Sequence, residues 1–405
     1  MTHYRSFFLS RLSKSRQPAY PRFRGPMVTE VAIVGGGLTG CSVAYLFAAA
    51  GIKTALFEAG GLGQGSTMAA SGAVRPQPVA SFGDLQAAYG RRAARRMCEM
   101  SRHAALDFAA LLRRLKIRCD LEPRDWLVVA RSAAAERDLE REYRASEIAG
   151  LDAVWFRGTR LSKELALEGR GAMRLQGAAQ IDPYRACVGL AKAAAARGAR
   201  IFERSPVLRV RADRAGVEIQ TDGGSVAAHE VVVATNVPGG LFKPLGRHFT
   251  LRHTYLVATP PLEASLRKQM GRRDIVLNDA AQPARILSWT RDDRMLFTGA
   301  DQAQVADRRR PKVLVQRTGQ LMYELSLLYP AISGIQPDYG WDGVVARTSD
   351  GLIVAGPHRN YPHHLFALGC GHNGPGAALL AGRILFRQYT GAPEPGDELF
   401  GFGRR

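Results

Sequence analysis

Residues 31–58 read VAIVGGGLTGCSVAYLFAAAGIKTALFE, and this stretch decides the fold. The short β-branched run 31–34 predicts a strand, and an alanine-rich helix follows that ends near Gly51. A second strand is predicted over 53–57. The 22 residues from Val31 to Ile52 carry no charge and are long enough to cross a bilayer, but five glycines disfavour a membrane helix. The stretch therefore predicts a β-α-β unit.

The turn between the first strand and the helix carries the motif Gly35-x-Gly37-x-x-Gly40. Glycines at this spacing permit a tight turn, a close approach by a pyrophosphate and close packing of the helix on the strand. The helix N-terminus offers N–H groups and a positive dipole end to the phosphates. Glu58 ends the second strand, where a carboxylate accepts the hydroxyls of an adenosine ribose. The motif alone is weak, but the four features together predict a dinucleotide site.

The segment after Glu58 separates the two common dinucleotides, FAD and NAD. It is rich in glycine and hydroxyl groups, including Gly65, Ser66 and Thr67, and runs to Arg75. Such a loop suits a second phosphate and a ribityl chain, whereas NAD-binding domains usually continue directly into another β-α repeat. A flexible linker is the alternative reading of the same residues.

Length and composition fit a globular chain of two or three domains, since it has 405 residues, 46% of them hydrophobic and 23% charged. The formal net charge is +20, and 48 of the 56 basic residues are arginine. This charge favours anionic partners such as acidic lipid, nucleic acid or anionic metabolites. We find no RNA-recognition signature or aromatic stacking motif, so we do not expect a nucleic acid partner.

The five cysteines include no C-x-x-C pair, which argues against a disulfide framework and a zinc site and favours a reducing compartment. We predict no metal site. Residues 1–26 carry six basic residues and no acid, with Phe7-Phe8-Leu9 as their apolar cluster. This cluster is too short for a signal peptide, so we predict a loose basic arm, with a transit peptide as the alternative.

Further sequence motifs after residue 75 continue the pattern of the dinucleotide-binding segment. The early motifs resemble the D-amino acid oxidase superfamily of FAD-dependent oxidoreductases, the group of glycine oxidase and sarcosine oxidase. Three later blocks are similar to the same family and bring the resemblance to about residues 20–392: Ile181-Asp-Pro-Tyr184 with 198–207, Glu230 to Thr235, and Trp341 to Gly376.

The resemblance implies an α/β fold, α+β overall, with a Rossmann-like FAD-binding domain built from discontinuous segments. It also implies a substrate domain with a mixed or antiparallel sheet above the flavin. The expected divisions are a basic arm at 1–26, an FAD-binding domain at 27–90, 175–238 and 340–391, a substrate domain at 91–174 and 239–339, and a tail at 392–405. Residues 254–259 alternate as a strand of that sheet should.

The resemblance also implies which residues bind the cofactor. We expect FAD to contact Gly35, Gly37, Leu38, Thr39, Gly40, Glu58, Ala59, Gly65, Ser66, Thr67, Val207, Ala234, Thr235, Gly371, His372, Asn373, Gly374 and Gly376. Pro375 opens an apolar helix whose N-terminus would stabilise negative charge on the reduced flavin. Residues 341–350 hold no cysteine of the kind that anchors FAD covalently in some sarcosine oxidases. We therefore expect non-covalent FAD.

The substrate residues depart from the family pattern. Two arginines that hold a substrate carboxylate in the amino acid oxidases correspond here to Val345 and His372. Arg347 shares a strand face with Val345, and Arg75 ends the loop beside the flavin, so either arginine could take over the carboxylate. For each of them, a surface arginine is the alternative reading. We keep Arg75, His372, Arg347 and Tyr255 as catalytic candidates, with a structural histidine and a core or rim tyrosine as alternatives.

Three functions remain open from the sequence. The first is oxidation of the C–N bond of an amine or of an N-substituted or D-amino acid by hydride transfer to flavin N5. The imine is then hydrolysed and the electrons pass to O2, giving H2O2. The second is a dehydrogenase that passes electrons to a membrane quinone, and the third is an RNA-modifying or RNA-binding flavoprotein. We expect a cytoplasmic protein, with peripheral contact at the inner face of the membrane as an option that the basic charge suits.

Overall fold

The structure is a computed structural model that describes residues 2–13, 17–280 and 284–404. The described residues form eleven α-helices: α1 (Phe7–Ser10), α2 (Leu38–Ala49), α3 (Phe82–Tyr89), α4 (Arg91–Arg114), α5 (Ala133–Ile148), α6 (Gly158–Leu165), α7 (Pro183–Ala195), α8 (Ala264–Lys268), α9 (Arg310–Leu328), α10 (Cys370–Asn373) and α11 (Pro375–Tyr389). Among these residues, none of the helices is both long enough and apolar enough to cross a membrane.

The same described residues form seventeen strands, which belong to two sheets. They are β1 (Met27–Val34), β2 (Thr54–Phe57), β3 (Ala73–Val74), β4 (Glu122–Ala130), β5 (Ala153–Arg157), β6 (Gly171–Gln180), β7 (Arg200–Phe202), β8 (Val207–Ala212), β9 (Val217–Thr221), β10 (Ser225–Asn236), β11 (Thr250–Ala258), β12 (Ile275–Asp279), β13 (Ile286–Trp289), β14 (Met295–Ala303), β15 (Tyr339–Arg347), β16 (Val354–His358) and β17 (Tyr361–Leu368).

The first sheet has the strand order β16-β17-β10-β1-β2-β7, and the hairpin β8-β9 joins it through β10. The pairs from β17 to β7 are all parallel. A parallel sheet needs cover on both faces, which explains why the end of β1 is apolar at every position. Helices α2, α7 and α11 pack on one face, and an aromatic cluster that includes Phe57 and Phe202 covers the other. This is the predicted β-α-β architecture.

The second sheet has the order β15-β11-β14-β13-β12-β4-β6-β3, with β5 paired to β6. Its strands are antiparallel except for the parallel pair of β4 and β12, so it is the mixed sheet that we expected. One face packs on α6 and α9 around Leu127, Leu277 and Phe297. The opposite face turns towards the loop after β2 and the N-terminus of α11.

Residues 6–8 of the N-terminal arm are packed, which corrects the expectation of a loose segment for this part of the arm. Phe7 and Phe8 are 2% and 1% exposed, and they pack against Tyr339 and Trp341 of β15. The Ser6 hydroxyl donates a hydrogen bond to the Met68 carbonyl at 2.6 Å. A short apolar cluster is sufficient here because aromatic residues distant in the chain pack around it, which the local sequence does not reveal.

Strand pairing and helix packing also cross the expected domain boundaries. β3 and β15 fall in segments expected to belong to the FAD-binding domain, yet they form the two edges of the second sheet. α4 begins the segment 91–174 that was expected in the substrate domain, but its apolar face lies in the same core as α2 and α11. The reason is that its arginines occupy the outer face, which leaves an apolar stripe to be buried.

Candidate active site

A cavity of about 360 Å³ lies at the carboxyl ends of β1 and β2, where parallel sheets bind ligands. Gly35 has a φ of +107°, and a Cβ there would come within 2.8 Å of the Ala234 carbonyl oxygen. A Cβ at Gly40 would lie 1.9 Å from the Gly35 carbonyl oxygen. Both positions therefore require glycine, and the turn brings the N-terminus of α2 directly to the cavity.

Glu58 lines one end of this cavity. Its two carboxylate oxygens accept hydrogen bonds from the N–H groups of Gly36 and Gly60, each at 2.7 Å. The carboxylate therefore joins the glycine turn to the loop after β2. The carboxylate can still accept further hydrogen bonds from a ligand in the cavity, because it offers about four lone-pair sites. This position suits the predicted contact with ribose hydroxyls.

The loop after Glu58 is held against the glycine turn. The Thr67 hydroxyl accepts a hydrogen bond from the Leu38 N–H at 2.9 Å. The Asn236 amide donates to the Ser66 hydroxyl at 3.0 Å and accepts from the Gly371 N–H at 2.9 Å. Asn236 thus connects three segments around the cavity, and our sequence reading missed it. Its position two residues after the end of the apolar run 231–234 in β10 was the available signal.

Most of the residues expected to contact FAD line this cavity. They are Gly35, Gly37, Leu38, Thr39, Glu58, Ala59, Gly65, Ser66, Thr67, Val207, Ala234, Thr235, Gly371 and Gly374. The side chain of His372 lies outside the part of the chain that the structure describes.

Three of the residues expected to contact FAD do not line the cavity, so their contact with the cofactor stays a prediction. Gly40 does not line the cavity and serves the packing of α2 on β1 instead. The Asn373 amide accepts from the Val79 N–H at 3.2 Å and donates to the Gly351 carbonyl at 3.1 Å, so it ties loops together. Gly376 faces α4, since a Cβ there would lie 3.0 Å from the Cα of Ala105.

A second, larger cavity of about 830 Å³ lies beneath the second sheet. The two cavities share five lining residues, which we call the junction: Ser66, Ala70, Gly371, Gly374 and Pro375. Pro375 begins α11, so the positive end of this helix dipole is directed at the junction. A ligand that fills the small cavity and continues past the junction would present its far end to the large one.

Arg75 lines the large cavity close to the junction. A Cβ on Gly374 would lie 3.7 Å from the Arg75 backbone nitrogen. The guanidinium stacks 4.5 Å from the ring centroid of Trp126, and the residue is 8% exposed. Arg75 forms no ion pair with any residue that the structure describes. Burial, and secondarily the charge of Arg347, lower the pKa of Arg75 to about 10, which leaves it charged at neutral pH.

Arg347 also lines the large cavity, as does Val345 on the same face of β15. Its guanidinium forms an ion pair with the buried carboxylate of Asp301 on β14. Burial lowers the pKa of Arg347, and Asp301 opposes that effect. Arg347 therefore has a counterion within the protein, whereas Arg75 has none among the described residues.

Tyr255 is placed away from the cavity, which corrects its candidacy. Strand residues alternate between faces, and in β11 it is Thr254 and Leu256 that line the cavity. Tyr255 is 1% exposed in the core against α9, and its hydroxyl accepts a hydrogen bond from the Gln302 amide at 2.6 Å. Both faces of β11 are largely buried, so the sequence alternation could not tell which face met the site.

Several cavity residues were not predicted from sequence, namely Trp126, Asn278 and Asp301. The Trp126 indole N–H and the Asn278 side-chain oxygen are buried and have no hydrogen-bond partner among the described residues. No motif surrounds any of the three. Only the strand pairing of the second sheet brings them together, so sequence reading had no local signal to use.

The residues present fit FAD. The small cavity offers a carboxylate at the ribose end, a glycine turn at a helix N-terminus for the pyrophosphate, and a hydroxyl-rich loop that leads to the junction. A fold and site of this kind define a dinucleotide-binding oxidoreductase. The model of the FAD dependent oxidoreductase family matches residues 30–388, and the chain belongs to that family. FAD is its cofactor.

Relatives and solved structures agree with this assignment. The chain is 29% identical over 380 residues to glycine oxidase of Bacillus subtilis, which covers 88% of this chain and 91% of that protein. It is 26% identical over 409 residues to the probable oxidoreductase OrdL of Haemophilus influenzae, covering 97% and 89%. The crystal structure of glycine oxidase from Geobacillus kaustophilus has the same fold, with a TM-score of 0.77, 21% identity and coverage of 94% and 99%.

Proposed function

We propose that the protein oxidises the C–N bond of an amino acid, either N-substituted or of D configuration, and passes the electrons to O2. Family membership supports the redox chemistry, and the relative named glycine oxidase supports an amino acid as substrate. A simple amine without a carboxylate is the alternative substrate, and a quinone is the alternative electron acceptor.

The observation that carries the proposal is the state of Arg75. A buried charge without a counterion is costly, and proteins normally pair such groups or neutralise them. Arg75 stays charged and is 8% exposed, and among the residues that the structure describes its guanidinium has only the face of Trp126 as a partner. A substrate carboxylate would complete this site with a charge-assisted hydrogen bond. Arg347, already paired with Asp301, is the weaker candidate for this role.

The chain's own residues then account for positioning. With its carboxylate on Arg75, a substrate would place its α-carbon and nitrogen towards the junction, where Gly371 and Gly374 lie. FAD, when bound, accepts the hydride that leaves the carbon next to the nitrogen. The N-terminus of α11 favours negative charge at the junction through its dipole and free N–H groups. Orientation and electrostatics of this kind need no dedicated acid or base.

Anaerobic mixing of the holoenzyme with a panel of N-methyl and D-amino acids tests the proposal. We expect loss of the flavin colour with at least one amino acid, and no loss with matched amines that lack the carboxylate. Reoxidation is then followed by stopped flow against O2 and against a soluble quinone. Reduction by simple amines alone would contradict the carboxylate, and faster reoxidation by the quinone would contradict O2 as acceptor.

We also propose that FAD is held without a covalent bond. Cys370 lines the small cavity, but burial raises the pKa of its thiol to about 12, so it is protonated and a poor nucleophile at neutral pH. Acid precipitation should leave FAD in a yellow supernatant. A yellow pellet below a colourless supernatant would contradict this expectation.

A further inference from the structure

The N-terminal residues are bonded to the edge of the second sheet. We call residues 2–13 the docked segment. The His3 N–H donates a hydrogen bond to the Asp338 carbonyl at 2.8 Å, and His3 forms a parallel bridge with the first residue of β15. The Thr2 hydroxyl donates to the Pro337 carbonyl at 2.9 Å. One end of the docked segment is therefore fixed beside β15, the edge strand of that sheet.

The other side of the docked segment faces the loop after β2. We define residues 59–70 as the cofactor loop. The Ser6 hydroxyl donates a hydrogen bond to the Met68 carbonyl at 2.6 Å, and no other described residue donates to that carbonyl. The two phenylalanines that follow Ser6 belong to one hydrophobic cluster with Ala69 of the cofactor loop and Trp341 of β15. α1 therefore packs between the second sheet and the cofactor loop.

The cofactor loop forms walls of both cavities. Thr67 lines the small cavity, Ala69 lines the large one, and Ser66 and Ala70 belong to the junction. The structure describes this whole loop, and it contains turns and bends but no helix or strand. A segment without regular backbone hydrogen bonding is easily displaced, so contacts with neighbouring segments must hold it in place. Ser6 supplies such a contact and lines neither cavity.

A second link joins the N-terminal residues to the cofactor loop. The Glu203 carboxylate belongs to a residue that is 8% exposed, and it accepts hydrogen bonds from the Leu62 N–H at 2.8 Å and from the Tyr20 N–H at 2.9 Å. The C-terminal end of α1 is held as well, because the Arg11 guanidinium lies 3.1 Å from the Asp120 carboxylate. The chain before β1 therefore contacts the cofactor loop directly from the docked segment and indirectly through Glu203.

We propose that the docked segment positions FAD: its docking and the binding of FAD stabilise each other through the cofactor loop. A loop that is already held loses less conformational freedom when a ligand binds, so the ligand binds more tightly. The coupling is reciprocal, because a segment that tightens FAD binding by a given factor is itself docked more tightly by that factor when FAD is bound. The inference does not depend on the substrate, so it stands apart from the proposed function.

A pair of substitutions separates the contact with the cofactor loop from the rest of the docking. Ser6→Ala and Thr2→Val each remove one hydroxyl-to-carbonyl hydrogen bond of the docked segment, but only Ser6 bonds to the cofactor loop. Apoprotein titrated with FAD should show a dissociation constant raised about two- to tenfold in Ser6→Ala, the factor expected for one hydrogen bond. The constant should stay within about 1.5-fold in Thr2→Val, and Ser6→Thr, which keeps the hydroxyl, should resemble the wild type.

Limited proteolysis measures the reverse effect without turnover. Trypsin cleaves after Arg11, and cleavage of a docked segment requires that it opens locally. In the wild type, cleavage after Arg11 should be at least about threefold slower with saturating FAD than in the apoprotein, and Ser6→Ala should reduce this protection. Cleavage after Lys268, which is exposed on α8 and lines neither cavity, should not depend on FAD. Mass spectrometry of the fragments identifies each cleavage site.

Two results would overturn the inference. The first is a Ser6→Ala variant with the FAD affinity of the wild type, together with cleavage after Arg11 that is equally fast with and without FAD. The second is an equal loss of FAD affinity in Ser6→Ala and Thr2→Val, because the effect would then come from general packing of the docked segment and not from its contact with the cofactor loop. Either result leaves the proposed reaction unaffected, since none of these measurements depends on a substrate.

Discussion

The two cavities are built in different ways. The small one is made mainly of backbone and small side chains from residues 34–70, 206–207, 234–241 and 370–378 together with Pro183, and its central parts, the glycine turn, Glu58 and the loop to Thr67, lie within about forty residues. The large one is made of side chains from strands at both edges and in the middle of the second sheet. The first is encoded locally, and the second exists only after the sheet has formed.

This difference explains why the cofactor can be predicted from the sequence and the substrate cannot. Phosphates and ribose impose the same demands in every protein that binds them, so the solution is a recurring motif. A substrate pocket is specific to one ligand. The side chains that bind this ligand can come from any strand that faces the pocket, so they form no recurring motif. If the two cavities are also separate in function, a substitution in one of them should leave ligand binding in the other unchanged.

The largest expected effect concerns Arg75. Truncating the partner of a buried carboxylate costs about 2–5 kcal/mol, so Arg75→Met should lower kcat/KM for an amino acid substrate by about 30-fold to several thousandfold. FAD content should stay unchanged, because Arg75 does not line the small cavity. The measurement is steady-state kinetics with FAD occupancy determined in parallel.

Arg200→Met is the matched control for this experiment. Arg200 also stacks on an aromatic ring, 5.6 Å from the centroid of Phe202, but it is exposed and lines neither cavity. Its replacement should leave kcat/KM within about twofold, as is usual for exposed positions. Equal losses in both variants would mean that Arg75 has no special role towards the substrate.

The next effect concerns Glu58 and the small cavity. Glu58→Ala removes the carboxylate that we expect to bind the ribose and that accepts the Gly36 and Gly60 N–H groups. Charge-assisted hydrogen bonds are worth about 1.5–3 kcal/mol each, so FAD affinity should fall by more than about tenfold. Apoprotein titrated with FAD gives the dissociation constant.

Glu30→Ala is the control for Glu58. Glu30 likewise accepts a backbone hydrogen bond, from the Lys53 N–H at 3.0 Å, but it does not line the small cavity. FAD affinity should be unchanged in this variant. A loss in Glu30→Ala as large as that in Glu58→Ala would show that both act by loosening the sheet.

A smaller effect is expected on the pH dependence of carboxylate binding in the large cavity, and it follows from the pKa of Arg75. Because burial lowers that pKa from 12.5 to about 10, Arg75 is charged below pH 10 and loses its proton above it. Carboxylate affinity should therefore be constant to about pH 9 and then weaken, approaching tenfold per pH unit above 10. Titrations between pH 8 and 11, corrected by the spectrum of ligand-free holoenzyme, measure this. A decline that begins near pH 7 would point to another group.

The limits of sequence reading follow the same division. The turn at Gly35, the acid at Glu58 and the loop at Thr67 could be placed at the small cavity from the sequence, because together they form a recurring motif within one short stretch of chain. Asn373 and Gly376 were expected at FAD but do not line the small cavity, since a glycine-rich loop does not reveal which of its residues face the cavity and which face α4 or neighbouring loops.

The residues that line the large cavity could not be predicted from the sequence because strand pairing brings them together. Trp126 meets Arg75 only because β3 and β4 both pair with β6, and Asp301 meets Arg347 only because β14 and β15 both pair with β11. These pairings join residues far apart in the chain, and no local pattern encodes them. The packed N-terminal arm was missed for the same reason, since the pocket for Phe7 and Phe8 comes from β15 and its neighbours.

The smallest expected effect tests the face assignment of β11. Tyr255→Phe removes the hydroxyl that accepts the hydrogen bond from Gln302, on the side of the sheet away from the cavity. Loss of one such bond should lower the free energy of unfolding by about 0.5–1.5 kcal/mol while kcat/KM stays within about twofold. Thr254→Val, one residue away on the cavity face, should do the opposite and raise KM with little change in stability. Thermal unfolding and steady-state kinetics of the two variants test which face of β11 lines the cavity. A Tyr255→Phe variant that lost turnover but kept its stability would mean that Tyr255, and not Thr254, lies on the cavity face of the strand.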